Sequence, residues 1–277
     1  MLNPDTVTEG RSVILTCSTT CTLTGSPAFI WYRDGAPLPF TGQSHQFRAS
    51  SEDRGSYTCA VKGYELHSPA VALNVRYPPK GTLVSVTPSD EIVENNSVTL
   101  TCSSDASPPV HRYTWYKNNR AESSWRGSIY TIKSITQQDA GEYTCLTGNG
   151  IGTDISPPKR LDVQYPPKNV SVSVSPSGEI VEGSSVTLTC SSSDANPPVQ
   201  NYTWYKNNRT ISPWGGSSYT IKSITLQDAG EYYCAAGNGI GRKRSSPKLL
   251  DVQCEYISAS QLHTHRAESQ YLLSVFG

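Results

Sequence analysis

Strong helix formers are scarce in this chain of 277 residues, and long apolar runs and any excess of one charge are missing. Lys+Arg and Asp+Glu number 23 each, and a formal net charge of zero excludes a general electrostatic affinity for nucleic acid or an anionic membrane. The longest apolar stretch, Tyr271 to Phe276, falls far short of the roughly 20 residues that cross a bilayer. No basic-then-apolar leader follows Met1, so neither a signal peptide nor a transmembrane segment is expected. Cys-x-x-Cys is absent, and His45, His67, His111, His263 and His265 fall outside metal-ligand spacing. Gly-x-Ser-x-Gly is absent too, so the expectation is a non-enzyme with no metal, no cofactor and no small-molecule substrate. What the chain does hold is sixteen Tyr, eight Cys and many Ser, Thr, Pro and Gly, the residues of strands and turns.

Those residues recur. The segment SVTLTCSSDASPPVHRYTWYKNNR from Ser97 returns as SVTLTCSSSDANPPVQNYTWYKNNR from Ser185, and YTIKSITQQDAGEYTC from Tyr130 returns as YTIKSITLQDAGEYYC from Tyr219. A looser copy (SVILTC, WYRDG, EDRGSYTC) precedes them. Self-similarity at this period gives three units, 1–76, 77–164 and 165–253, followed by an irregular, disordered tail over 254–277. Alternation is strict around the first Cys of each unit: Val13, Leu15 and Cys17; Val98, Leu100 and Cys102; Val186, Leu188 and Cys190. Period two marks a strand buried on one face.

Each unit also carries a Trp after its first Cys (Trp31, Trp115, Trp204) and a Tyr two residues before its second (Tyr57, Tyr143, Tyr232). Asp53-x-Gly55, Asp139-x-Gly141 and Asp228-x-Gly230 lie just ahead of those Tyr. This threefold pattern resembles the immunoglobulin domain. The resemblance implies an all-β fold: three tandem immunoglobulin-like β-sandwiches of the compact constant (C2-like) type, in an elongated array. It also implies inter-sheet disulfides Cys17–Cys59, Cys102–Cys145 and Cys190–Cys234, each against a buried Trp, with a tyrosine corner at each second Cys. Disulfides on this scale place the chain in an oxidising compartment. Cys21 and Cys254 are left unpaired or intermolecular.

Several motifs invite a functional reading. Gly148-Asn149-Gly150-Ile151-Gly152, repeated from Gly237 to Gly241, partly mimics a phosphate-cradling loop, but a β-like segment follows where that loop needs a helix. Asn-Gly between strands predicts a hairpin turn instead, with both turn residues at positive φ. His263-x-His265 falls in the tail, and Asp53, Asp139 and Asp228 fall at corner turns. Arg242-Lys243-Arg244 reads as a solvated loop or as a contact for an acidic partner or glycan. Trp125 and Trp214 read as packing residues or as an exposed ligand platform. Asn-x-Ser/Thr sequons at Asn95, Asn169, Asn201 and Asn208 match a glycosylated extracellular surface, with Asn201 pointing outward by alternation from Trp204. Tyr77-Pro-Pro-Lys80 and Tyr165-Pro-Pro-Lys168 hold the junctions extended with almost no slack, which predicts a semi-rigid rod. In the first unit, Ser44, Gln46 and Ala49 align with Tyr130, Ile132 and Ile135, so its fifth strand is either shifted onto Phe47 or poorly formed.

The phrases TVTEGRSVILTCSTTC, VRYPPK, VEGSSVTLTCSSSDANPPVQNYTWYKNN and SITLQDAGEYYC further resemble the constant-type repeats of the B-cell branch of the Siglec family, the sialic-acid-binding immunoglobulin-like lectins, in its fish-like form. The resemblance covers residues 1 to about 253. It implies the extracellular spacer and interaction region of a lymphocyte receptor at the plasma membrane, acting in adhesion and in B-cell receptor signalling. Partners would be cell-surface proteins or glycoproteins, with sialylated glycans reached only through a missing N-terminal variable domain. The strand Ser56 to Lys62 lacks the ligand Arg of that family, and Cys21 matches a Cys that bridges to the variable domain. Val252-Gln253-Cys254 breaks the Tyr-Pro-Pro frame, which suggests a truncated or alternatively spliced chain. The competing readings are a glycan-binding lectin in its own right, and another immunoglobulin-superfamily adhesion or Fc-receptor-like protein.

Overall fold

The computed structural model describes residues 6–20, 27–64 and 66–254, the side chains of residues 213 and 214 excepted. Cys21 and the residues after Cys254, including His263 and His265, lie outside them, as does the side chain of Trp214. The described residues are built of strands, with three short 3-10 turns, Ser51–Asp53, Gln137–Asp139 and Leu226–Asp228. Among the described residues no helix is long and apolar enough to cross a membrane. Two compact units divide the chain, residues 1–162 and 163–277.

The period-two segments form strands with the expected sidedness. Val13, Leu15 and Cys17 are buried along Ser12–Thr16 and just beyond it, and Val98, Leu100 and Cys102 along Val98–Ser107; Val186, Leu188 and Cys190 repeat this along Val186–Ser191. Their partners on the same sheet are Ser44–Arg48, Ile129–Ile132 and Ser218–Ile221. The facing sheet centres on the Trp strands, Phe29–Arg33, Arg112–Lys117 and Asn201–Lys206, each paired with the strand of the second Cys, Gly55–Val61, Gly141–Gly148 or Gly230–Gly237. Three β-sandwiches in tandem result, each with its own core.

The fifth strand of the first sandwich is formed and shifted. Val13 faces Phe47 and Leu15 faces His45, where Val98 faces Ile132 and Leu100 faces Tyr130. Ala49 still takes the place of Ile135: its N–H donates to the Arg11 carbonyl as that of Ile135 donates to Asn96. One residue is missing between strand and corner, so the core positions move onto Phe47, and His45 stacks on Phe40 at 3.7 Å.

Val71–Thr87 is a single strand of 17 residues. Its first part pairs with Gly55–Val61 and, in parallel, with Thr6–Thr8; its second part pairs with Val98–Ser107. Pro78 and Pro79 sit inside it, where the register of the second pairing is irregular and no ladder donor is needed. The end of the first sandwich thus becomes the start of the second without an intervening loop.

Candidate functional site

The cysteine pairs bridge the two sheets of each sandwich: Cys17–Cys59, Cys102–Cys145 and Cys190–Cys234, with Cα–Cα distances of 6.2, 6.4 and 6.1 Å. Each lies against a buried Trp whose indole N–H donates to a glycine carbonyl: Trp31 to Gly42 (2.8 Å), Trp115 to Gly127 (3.0 Å) and Trp204 to Gly216 (3.2 Å). The corner hydroxyls of Tyr57, Tyr143 and Tyr232 donate to the carbonyls of Asp53, Asp139 and Asp228 at 2.7, 2.6 and 2.8 Å. The Asp carboxylates serve the same corner, accepting the backbone N–H of Ser50, Thr136 and Thr225. Among the described residues no group of His, Cys, Asp and Glu could hold a metal.

Burial raises the pKa of Tyr57 and Tyr143 and pushes that of Tyr232 up to about 12, while the Thr225 N–H lowers that of Asp228. A phenol raised in the folded state stabilises below its unfolded pKa of about 10 and loses that contribution as pH rises through the folded value. Melting temperature should therefore hold level from neutral pH to about 9 and fall progressively above about 10. Tyr57→Phe, Tyr143→Phe and Tyr232→Phe together should flatten that fall; an unchanged slope in the triple variant would assign the alkaline loss to other groups.

The Gly–Asn–Gly loops differ from expectation. They do join antiparallel strands, Gly141–Gly148 to Thr153–Ile155 and Gly230–Gly237 to Arg242–Arg244. Neither Asn149 and Gly150 nor Asn238 and Gly239, however, is at positive φ. The asparagine is there for its side chain. Asn149 Oδ1 accepts the N–H of Ile151 (2.9 Å) and Gly152 (3.1 Å), while Nδ2 donates to the carbonyls of Tyr77 and Pro108, both at 2.9 Å. Asn238 does the same, closing on Ile240 and Gly241 and donating to Tyr165 (2.9 Å) and Pro197 (2.8 Å). Gly152 eases a close approach, because a Cβ there would lie 3.0 Å from Pro78 Cβ, tighter than ordinary contact. The Asn-Gly sequence thus encodes a clamp on the Tyr-Pro-Pro segment, and only the repetition of both motifs hinted at it.

Two-residue turns at positive φ occur elsewhere, at Asp34-Gly35 (50° and 83°), Asn118-Asn119 (47° and 63°) and Asn207-Asn208 (43° and 65°). They follow the Trp strands, and sequence reasoning passed over them although Asp-Gly and Asn-Asn after an alternating run are turn signals. Asn118 Oδ1 accepts the Glu142 N–H at 2.9 Å and lies 2.6 Å from where a Gly141 Cβ would fall, which accounts for the glycine of Asp139-x-Gly141.

Around the first junction, Lys80 Nζ reaches Glu9 Oε1 at 2.6 Å, and the same oxygen accepts the Ser51 N–H at 3.2 Å. Tyr77 is buried, with its hydroxyl on Asp105 at 3.0 Å, and burial raises its pKa. Asp154 accepts the Thr82 N–H at 3.0 Å, a bond that lowers its pKa. Residues from both sandwiches thus hold one strand from both sides.

Trp125 packs: it stacks on Tyr130 at 3.6 Å and meets Trp115 edge-on at 6.1 Å. Arg242–Arg244 is an exposed edge strand rather than a loop, because its pairing with Ala235–Gly237 uses the backbone. Arg244 lies over Tyr205 at 4.6 Å and Tyr233 at 5.3 Å. Asn95, Asn169 and Asn208 are exposed at positive φ, whereas Asn201 is half-buried in a strand, with Oδ1 accepting from Arg242 at 3.4 Å. Cys254 is exposed and free.

Two immunoglobulin-domain profiles match the chain, one over residues 1–75 and 168–252, the other over 78–149. Over 249 residues the chain is 30% identical to the B-cell receptor CD22 of Mus musculus, covering 89% of this chain and 28% of that protein. It is 31% identical over 212 residues to the limbic system-associated membrane protein of Rattus norvegicus, covering 72% and 60%. It is 27% identical over 264 residues to Fc receptor-like protein 5 of Homo sapiens, covering 88% and 27%. The chain therefore spans between about a quarter and three-fifths of these relatives. Among solved structures, the full ectodomain (Ig1–Ig3) of mouse nectin-like molecule 4 superposes with a TM-score of 0.53 at 21% identity, covering 92% and 98%.

Proposed function

The chain belongs to the immunoglobulin-domain family, and from that premise we propose that it is the extracellular spacer and interaction region of a lymphocyte cell-surface receptor resembling the B-cell Siglecs. It acts in adhesion and regulation of receptor signalling, without enzymatic turnover and without a sialic-acid site of its own. The relatives it matches are named as receptors and membrane proteins, which supports a cell-surface adhesion or receptor role.

One observation carries the spacer reading. The strand Val71–Thr87 passes uninterrupted from the first sandwich into the second, and Asn149, Glu9 and Asp154 hold it there. A junction hydrogen-bonded from both sides transmits position rather than absorbing motion, as a segment presenting another domain must. The three domains of this reading are 1–76, 77–164 and 165–253, and its partners are cell-surface proteins or glycoproteins.

The exposed basic strand Arg242–Arg244 supports a second reading, a lectin acting through its own surface. A glycan array probed with the purified full chain separates the two. The spacer reading expects no sialidase-sensitive signal; reproducible, sialidase-sensitive binding lost in Arg242→Ala/Arg244→Ala would replace it with the lectin.

A further inference from the structure

We propose that Asn208 carries an N-linked glycan whose first sugar packs on Tyr205, so that the modification stabilises the third sandwich. The inference rests on the extracellular reading above, because the modification belongs to the secretory pathway.

The sequon is built into a hairpin. Asn201–Lys206 and Arg209–Gly215 pair with Lys206 opposite Arg209 and Tyr205 opposite Thr210, which leaves Asn207-Asn208 as the two-residue turn. Directly opposed residues share a face of the sheet, with Cβ atoms about 5 Å apart. Tyr205 and the sequon hydroxyl therefore flank one patch, and the turn delivers Asn208 to its end. The Tyr233 hydroxyl donates to Asn208 Oδ1 at 2.6 Å, which ties the asparagine to the aromatic face. Tyr233 in turn stacks on Tyr205 at 4.9 Å and 11°, and Arg244 lies over both rings. Asn208 Nδ2, the atom that takes the sugar, has no hydrogen-bond partner among the described residues. A pyranose presents a row of C–H groups on one face, and laying that row on a half-buried ring removes apolar surface from water.

No other sequon has this surrounding. Asn169 Nδ2 already donates to Ser193 at 2.9 Å, and Asn201 lies over Gly237, 2.7 Å from where a Cβ would fall. Asn95 follows no aromatic strand. The matching hairpin of the second sandwich has the same turn, Asn118-Asn119, but Tyr116 faces Ala121, so the acceptor hydroxyl is missing. In the transfer, Nδ2 attacks C1 of an oligosaccharide carried on a polyprenyl pyrophosphate. The N–C1 bond forms, the C1–O bond to pyrophosphate breaks, and one amide proton is lost.

The full chain, fused to a cleavable secretion leader and secreted from cultured eukaryotic cells, tests this. Glycopeptide mass spectrometry should find Asn208 occupied. The unfolding transition of the third sandwich should lie about 4–8 °C above that of Thr210→Val, which keeps the branched side chain but destroys the sequon. Trimming to one sugar with an endoglycosidase should keep the gain. In a Tyr205→Ala background (or Tyr205→Leu, should alanine prevent folding) the gain should vanish, with the same variants made without sugar in bacteria as the baseline. An unmodified Asn208 beside other occupied sequons, or a gain of equal size without Tyr205, would overturn the proposal. Because secretion is imposed by the added leader, neither result bears on the spacer reading.

Discussion

Replacing Cys102 and Cys145 together by alanine removes about 4 kcal/mol from the second sandwich, as expected for opening a loop closed across 43 positions. Single domains of this size hold only about 5–15 kcal/mol in total, so the variant should melt tens of degrees lower or fail to fold. The third sandwich is spared because it belongs to a separate compact unit and has its own disulfide and buried Trp. Calorimetry of the whole chain should show one transition shifted strongly and the transition holding Cys190–Cys234 unmoved, since tandem domains do not melt as a single two-state unit. A loss below about 1 kcal/mol would show that packing around Trp115 and Tyr143 already fixes the two sheets without the bond.

Asn149→Ala is the second large effect, and it is larger than its position in a glycine-rich loop suggests. The amide makes four hydrogen bonds and is 8% exposed. Truncation leaves two carbonyls and two N–H groups to find water in a confined place, at about 2–4 kcal/mol in all. Asn149→Asp should be at least as damaging, because it keeps the Oδ1 acceptor but sets a carboxylate against the carbonyls of Tyr77 and Pro108. Hydrogen exchange should accelerate at Ile151 and Gly152 and along the strand through Tyr77. If Asn149→Ala stayed within about 0.5 kcal/mol of the parent chain, the clamp would be incidental and the junction would owe its order to strand pairing alone.

The fold class was legible because its signals are local and repeat. Period-two alternation at Val98, Leu100 and Cys102 states which face of a strand is buried, and the recurrent Cys, Trp and Tyr resemble the immunoglobulin domain, which implies the strands that oppose each other. Arg242–Arg244 is a strand that its own residues do not announce, because three charged residues carry no strand signal; the backbone of Ala235–Gly237 supplies the pairing. Asn149-Gly150 departs from the positive φ that Asn-Gly favours for a related reason. Asn-Gly permits a tight turn, but a buried side-chain amide with four partners overrode that preference and set a longer loop.

What the sequence by itself determined is therefore the core strands and their sidedness, because each is decided by residues close along the chain; the disulfides and corners came with the immunoglobulin resemblance that the repeated Cys, Trp and Tyr carry. The tertiary structure alone decided which polar groups meet. Asn149 finds the Tyr77 carbonyl 72 positions away, Lys80 finds Glu9 71 positions away, and Tyr233 finds Asn208 across 25. Nothing local encodes such pairs. A buried amide or an exposed sequon acquires its role from whichever group register and packing bring within about 3 Å of it.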